Sequence, residues 1–303
     1  MSRPFGVGRS LLKAGGELFQ DHERGVLVGM PAPAEIIAQA VRTEQPGVRI
    51  FPEGRIKTEC AVTKFLESRA MAGLGIRVRV ARTVPFPDAC GNGVSTGEMT
   101  AAVDAVAKLI GGSVDAVELG RLLASIEPTD STFTDGRLRL WNFFMGEPRS
   151  AAFRLPEGSW VFGYPRSRRL TTDHVVRPKY TAREREALRS AYGRLPGILA
   201  RRSRLHLANV SILSARINAC YHEKPELPAI ARLHRSGLVD GYWTAHSGVA
   251  VGVMGPPERL AAMEAGFRDS VGPDFGIWSF VYDVTMDDQP FAEACGRTLR
   301  QVQ

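Results

Sequence analysis

The stretch CGNGVSTGEMTAA, residues 90–102, stands between a run of alternating residues that ends in prolines and a stretch with helical periodicity. Met99, Val103, Val106 and Ile110 recur at intervals of three and four, so GEMTAAVDAVAKLIGG reads as an amphipathic helix closed by Gly111 and Gly112. The residues before it form a loop that feeds a helix N-terminus. Such a start leaves backbone N–H groups unpaired and aimed one way, and the helix dipole adds positive charge there, so phosphate is the natural guest. Gly91 and Gly93 let the backbone approach closely, while Ser95 and Thr96 offer hydroxyls to a phosphate or a magnesium ion. Glu98 would repel a phosphate unless it turns aside or faces the metal. The same residues also fit an ordinary capped helix, with Ser95 as N-cap and Glu98 closing a capping box. The GKS or GKT ending of a Walker A loop is missing.

Upstream, IRVRVARTVP (76–85) alternates Ile76, Val78 and Val80 with arginines, the pattern of a half-buried strand, and Pro85 and Pro87 stop it. RGVLVGMPA (24–32) and GVRIFPE (47–53) read as strands, and CAVTKFLESRAMAGL (60–74) as a helix. Downstream, DAVELGRLLASIEPTDS (115–131) is a helix stopped by Pro128. RLRLWNFF (137–144) and GSWVFGYP (158–165) read as a strand pair, with Trp141, Phe143 and Phe144 in the core. Residues 181–236 are helical in pattern, broken at Pro196 and Pro225. DGYWTAHSG (240–248) and VAVGVM (249–254) form a second strand pair, PPERLAAMEAGF (256–267) a helix and FGIWSFVYDV (275–284) a last strand. The class is α+β. The shift to helix-rich pattern near residue 165 divides the chain into lobes 1–165 and 166–303. RSRRLTTDHVVRPKY (166–180) is a long irregular segment suited to closing over a site.

With 303 residues, 44% of them hydrophobic and 23% charged, the composition is that of an ordinary globular protein. No apolar run approaches the ~18 residues that span a bilayer, and the first residues lack an export signal, so a cytoplasmic protein without a membrane partner is expected. Cys60, Cys90, Cys220 and Cys295 form no CxxC pair, which favours reduced thiols over zinc or a disulfide framework. The net charge of +7 suits a phosphate-rich partner, nucleotide or nucleic acid. The basic clusters RRSRLH (201–206) and RSRR (166–169) lack the interleaved aromatics of a base-stacking platform. No nucleic-acid partner is therefore expected, and a homodimer is left open.

Three further segments bear on the glycine loop: KAGGELFQ (13–20), SIEPTDST (125–132) and AHSGVAVGVM (245–254). In this order the four resemble the GHMP kinase superfamily of galactokinase, homoserine kinase and mevalonate kinase. Within it they are most similar to the L-threonine kinases of cobalamin synthesis. Gly16, Glu17, Leu18 and Gln20 match the family's GEL-Q stretch, and Gly91, Ser95 and Thr96 its phosphate loop. Glu127 through Thr132 match its E-P-T-D-S-T stretch, and His246, Ser247 and Gly248 its H-S-G segment. The chain departs from the family at Cys90 and VST, where a lysine and a longer Ser-Ser-Thr run are usual, and at Gly15 and Asp21 around GELFQ.

The resemblance implies a two-lobed GHMP kinase fold with the nucleotide site between the lobes. It also implies ATP as phosphoryl donor, magnesium, and a small hydroxy amino acid such as L-threonine as acceptor. Cys90, Gly91, Asn92, Gly93, Val94, Ser95 and Thr96 would then hold the nucleotide. Magnesium keeps several waters and takes one or two protein oxygens, for which Ser95 and Glu127 are the candidates. Asp130 would orient the acceptor hydroxyl or take its proton, and Lys13 would balance phosphate charge or keep Asp130 ionised. Glu17, Thr129, Ser131, His246, Ser247 and Gly248 would contact substrate or support the loop. Plainer readings stand beside these: Asp130 as a turn cap, Lys13 as a solvated lysine, His246 as a core histidine. Serine, homoserine or another small hydroxyl compound would fit the same fold, as would a relative that binds nucleotide without catalysis.

Overall fold

Two 17-residue strands, β1 (Phe5–Asp21) and β2 (Val26–Arg42), pair antiparallel along their length and carry the rest of the molecule. The computed structural model describes residues 5–131, 135–170, 177–245, 248–286, 289, 291, 295 and 299–302. β2 is flanked by β4 (Gly75–Arg82), and β3 (Gly47–Phe51) lies parallel to β4 at the sheet edge. Parallel neighbours need a crossover, and α1 (Ile56–Ser68) supplies it. On the other side of β1 come β8 (Gly241–Thr244), β9 (Val251–Gly255), β7 (Gly158–Pro165), β10 (Phe275–Tyr282) and β11 (Arg300–Val302), each antiparallel to its neighbour. Two-residue strands β5 (Trp141–Asn142) and β6 (Glu147–Pro148) hang from the N-terminal half of β2.

α2 (Val94–Leu109) is buried along almost every face because it lies across β1 and β2, with α1 beside it and α3 (Ala116–Ala124) nearby. Its alanine-rich sequence permits that depth: Ala101, Ala102, Ala105 and Ala107 are fully buried. α4 (Ala182–Ala200) and α5 (Arg204–Ala219) pack together, and α5 covers β8 and β1. α6 (Leu227–Arg235) and α7 (Leu260–Val271) form a second apolar cluster with Val161, Val253 and Ile277 of the sheet. The β1–β2 register breaks between Lys13 and Glu17, and β8 joins β1 beside that break, opposite Glu17. A break of this kind re-aims side chains, and here it falls between Lys13 and Glu17.

Several expectations are corrected. RLRLWNFF and GSWVFGYP do not pair: β5 joins β2 and β6, whereas β7 lies between β9 and β10. Pro196 does not break α4, which runs through it to Ala200. The helix after the glycine loop begins at Val94 with Gly93 as N-cap and no side-chain cap, so Ser95 is not the cap and no capping box forms. The strand over Phe5–Asp21 and the second half of β2 had no counterpart in the sequence reading.

Candidate active site

Gly93 sits in the left-handed region at φ 65°, where a side chain would be strained, and its carbonyl accepts the first helical bond from Gly97 N–H at 2.9 Å. The first-turn amides of Val94, Ser95 and Thr96 therefore have no helical acceptor. Glu98 turns aside: Arg82 holds it at 2.7 Å and Arg55 at 3.5 Å. The loop is tied to β1, since Lys13 N–H donates to the Asn92 carbonyl at 2.9 Å. The Asn92 side chain is buried, and neither its amide nitrogen nor its oxygen has a partner within the protein. Each such orphan costs about 1–3 kcal/mol unless a water or ligand satisfies it.

Beside this helix start, Lys13 Nζ donates to Asp130 Oδ1 at 2.7 Å and also to Glu17. A Cβ added to Gly93 would lie 3.1 Å from Asp130 Oδ2 and 3.4 Å from Lys13 Cε, so the lysine and carboxylate adjoin the cap of α2. Burial works against the Lys13 ammonium, but the carboxylates of Asp130 and Glu17 outweigh it and hold the group protonated well above its ordinary range. Burial raises the Asp130 carboxyl above its usual value, with Lys13 opposing and Glu17 adding to the rise. Two carboxylates thus share one ammonium, and burial, with the Glu17 charge adding to it, makes Asp130 a better proton acceptor than a free aspartate.

These residues open into one cavity of about 660 Å³, whose wall also carries Asn92, Ser95, Thr96, Lys57, Glu127 and Thr129. Lys57 forms an ion pair with Glu127. Thr129 is buried, and its hydroxyl accepts from Trp141 Nε1 at 3.1 Å, which anchors the EPTD stretch. Among the described residues no cluster of three or more His, Cys, Asp or Glu forms a cage for a metal ion. Magnesium needs less than that: the Ser95 hydroxyl and the Glu127 carboxylate share the cavity wall and fit an ion that keeps most of its water.

Cys90, Ser131 and Gly248 lie behind the wall rather than on it. The Cys90 thiol is 1% exposed, and burial pushes it up to about 11. The Ser131 hydroxyl accepts from Gly29 N–H at 3.4 Å. Gly248 backs the glycine loop so closely that an added Cβ would stand 2.5 Å from Gly91 N and Cα. Ala250 N–H donates to the Cys90 carbonyl at 3.1 Å, and Lys224 donates to the Gly248 carbonyl. His246 and Ser247 lie outside the described residues, as do Thr132 and residues 171–176 of the irregular segment.

No protein-family model matches the chain, and no curated protein matches it in sequence. Solved structures match it over nearly its whole length. Homoserine kinase from Cytophaga hutchinsonii aligns with a TM-score of 0.66 at 14% identity, covering 91% of this chain and 94% of its own. Mevalonate kinase from Methanococcus jannaschii gives 0.66 at 13%, covering 92% and 98%. Phosphomevalonate kinase from Streptococcus pneumoniae, solved with phosphomevalonate and AMPPNP, gives 0.66 at 10%, covering 93% and 100%. The chain has the GHMP kinase fold. At these identities the likeness carries the fold alone, and the chemistry rests on the cavity.

Within that GHMP kinase fold the cavity holds residues that sequence reading did not single out. Trp141 and Phe143 are in the core as expected and Phe144 packs against it, yet Phe143 and Phe144 also line the cavity together with Leu27. Arg177 stands over the Phe144 ring at 4.8 Å, and Gln20 and His22 complete this end. Burial pulls His22 down to about 4, helped by His222, so its imidazole is neutral at ordinary pH. Lys57 carries no sequence signal at all, since one lysine on the first turn of a helix looks like any solvated lysine. Among the described residues no helix is long and apolar enough to cross a membrane.

Proposed function

We propose that this protein is an ATP-dependent kinase that moves the γ-phosphoryl group onto the side-chain hydroxyl of a small hydroxy amino acid, L-threonine or a close analogue. The observation that carries the reading is the adjacency of the Lys13, Glu17 and Asp130 cluster to the unpaired amides at the start of α2, inside one cavity. Phosphoryl transfer asks a protein for positioning and for donors around the phosphate oxygens more than for covalent chemistry. The amides of Val94, Ser95 and Thr96 and the orphaned Asn92 amide provide the donors. Asp130 accepts the acceptor's hydroxyl proton, and Lys13 fixes that carboxylate and offsets negative charge. Magnesium, when bound, neutralises charge across the polyphosphate, and Ser95 and Glu127 are its ligands. The choice of an amino acid as acceptor is supported by the resemblance at Glu127–Ser131 and by the homoserine kinase among the structural neighbours.

Phosphorus NMR of the protein with magnesium, ATP and a panel of threonine, serine and homoserine tests this directly. A new phosphomonoester resonance is expected, largest with threonine, although one methyl group is worth only ~1–3 kcal/mol of discrimination. If no member of the panel consumes ATP, the reading is wrong.

The close packing behind the loop gives a second expectation. Gly248→Val drives a side chain into the backbone of Gly91. Overpacking of this kind costs about 1–3 kcal/mol, so affinity for a non-hydrolysable ATP analogue should fall about tenfold or more while circular dichroism stays native. Unchanged affinity in calorimetry would show that the turn at 248 does not shape the phosphate loop.

A further inference from the structure

The ion pair between Lys57 and Glu127 is the least constrained on the cavity wall. Lys13 is held by two carboxylates, Glu17 and Asp130. Arg55 and Arg82 each bridge Asp88 and Glu98. Lys57 has one carboxylate partner, and its side chain is 39% exposed, whereas that of Glu127 is 8% exposed. Of the cations on this wall that are paired with carboxylates, Lys57 has the fewest partners, so an entering polyphosphate can draw it away at least cost; Arg177, which also lines the wall, stands over the Phe144 ring.

We propose that Lys57 is a phosphate-binding residue that exchanges partners: it leaves Glu127 for the nucleotide's phosphate oxygens, and Glu127 is thereby released to ligate the divalent ion. The inference rests on the kinase reading and adds a residue and an order of events to it. Its geometry is favourable. Lys57 lies in the first turn of α1, and the residue before that helix, Arg55, is bound to Glu98 in the second turn of α2 and to Asp88. The base of the lysine is therefore fixed against the phosphate-binding helix while its four-carbon stem is free to swing. The exchange also conserves pairing. Glu127 passes from an ammonium to a divalent cation, the ammonium passes from a carboxylate to a phosphate, and no buried charge is left bare. In the protein without nucleotide, Lys57 keeps the metal ligand covered, so the ion is admitted together with the polyphosphate.

Two titrations on Lys57→Met and Lys57→Gln test this, each run against wild type and against Lys64→Met as a control, since Lys64 on the same helix bonds Ser125 instead of the cavity. In EDTA, calorimetry with an ATP analogue should show affinity lowered about ten- to a hundredfold in both Lys57 variants, the cost of one charged hydrogen bond. Without nucleotide, electron paramagnetic resonance with Mn²⁺ should show the opposite sign, tighter binding by several-fold, and Glu127→Gln added to either variant should abolish that gain. A purely structural ion pair predicts that both affinities fall or that neither moves, and either result overturns the exchange. If wild type binds no ATP analogue with or without metal, the kinase reading itself is at fault. If wild type binds it and the Lys57 variants bind equally well, only the exchange is wrong.

Discussion

Asp130→Asn should lower turnover by about a hundred- to ten-thousandfold while leaving nucleotide affinity unchanged. The asparagine keeps the size of the side chain and an oxygen for Lys13 Nζ, now 2.7 Å from Asp130 Oδ1, but it cannot take a proton. The proposed nucleotide contacts, on the amides of α2 and at Lys57, leave this carboxylate out and should not notice the change. The plainer reading, Asp130 as a turn cap, makes a different forecast: asparagine caps as well as aspartate, so a capping role predicts near-normal turnover. The pH profile adds a second check. Burial raises the Asp130 carboxyl, so wild-type turnover should fall as acid takes the pH down through that raised value. The residual turnover of the variant should lack this acid limb. Single-turnover kinetics across pH, with calorimetry on an ATP analogue, measures both.

How far this site was legible from sequence follows from the range of the contacts that build it. The helix α2 was legible because Met99, Val103, Val106 and Ile110 repeat at helical spacing, and the loop before it because glycines precede hydroxyl residues there. β1 was not legible. Its glycines at positions 6, 8, 15 and 16 weaken any strand signal, and its register breaks where Lys13 and Glu17 are re-aimed into the cavity. The local rule failed where the strand meets the cavity. Lys13 and Asp130 were picked out through motif resemblance, yet their contact spans 117 positions, and no periodicity reports a distance of that kind. Lys57 and Glu127, 70 positions apart, fall in the same class and went unremarked as a pair. Phenylalanine 143 reads as a core residue and is one, with phenylalanine 144 packed against that core, but that the two also line the cavity shows only in the fold. Glu98 was ambiguous in sequence between a cap and a metal-facing carboxylate, and arginines from β4 and from the start of α1 decide against both.

The other large effect expected is on stability. Lys13→Met should destabilise the folded state by about 3–5 kcal/mol, because it strips the ammonium from the Asp130 carboxylate and removes one partner of the buried Glu17. Lys13 and Glu17 are 2% and 3% exposed and Asp130 16%, so little water is available to replace the ammonium. A solvated lysine, the bland alternative, would cost less than about 0.5 kcal/mol on the same substitution. The sign of the pH dependence separates the two further. In wild type the raised Lys13 ammonium contributes stability that is fully present below its unfolded value of 10.5 and is lost as alkali takes the pH through the higher folded value. In the variant the carboxyl of Asp130 is raised by burial and Glu17 with no cation opposing. Its penalty is absent below the unfolded value of 3.8, grows as pH rises from there to the higher folded value, and is complete above it. Urea denaturation of the two proteins should therefore give midpoints that converge towards acid and separate towards neutrality. Adding Asp130→Asn to Lys13→Met removes the stranded charge and should recover part of the loss, a positive coupling that two independent surface residues would not show. Midpoints that stay parallel across pH, or a double variant whose losses simply add, would mean that the lysine does not hold this cluster together.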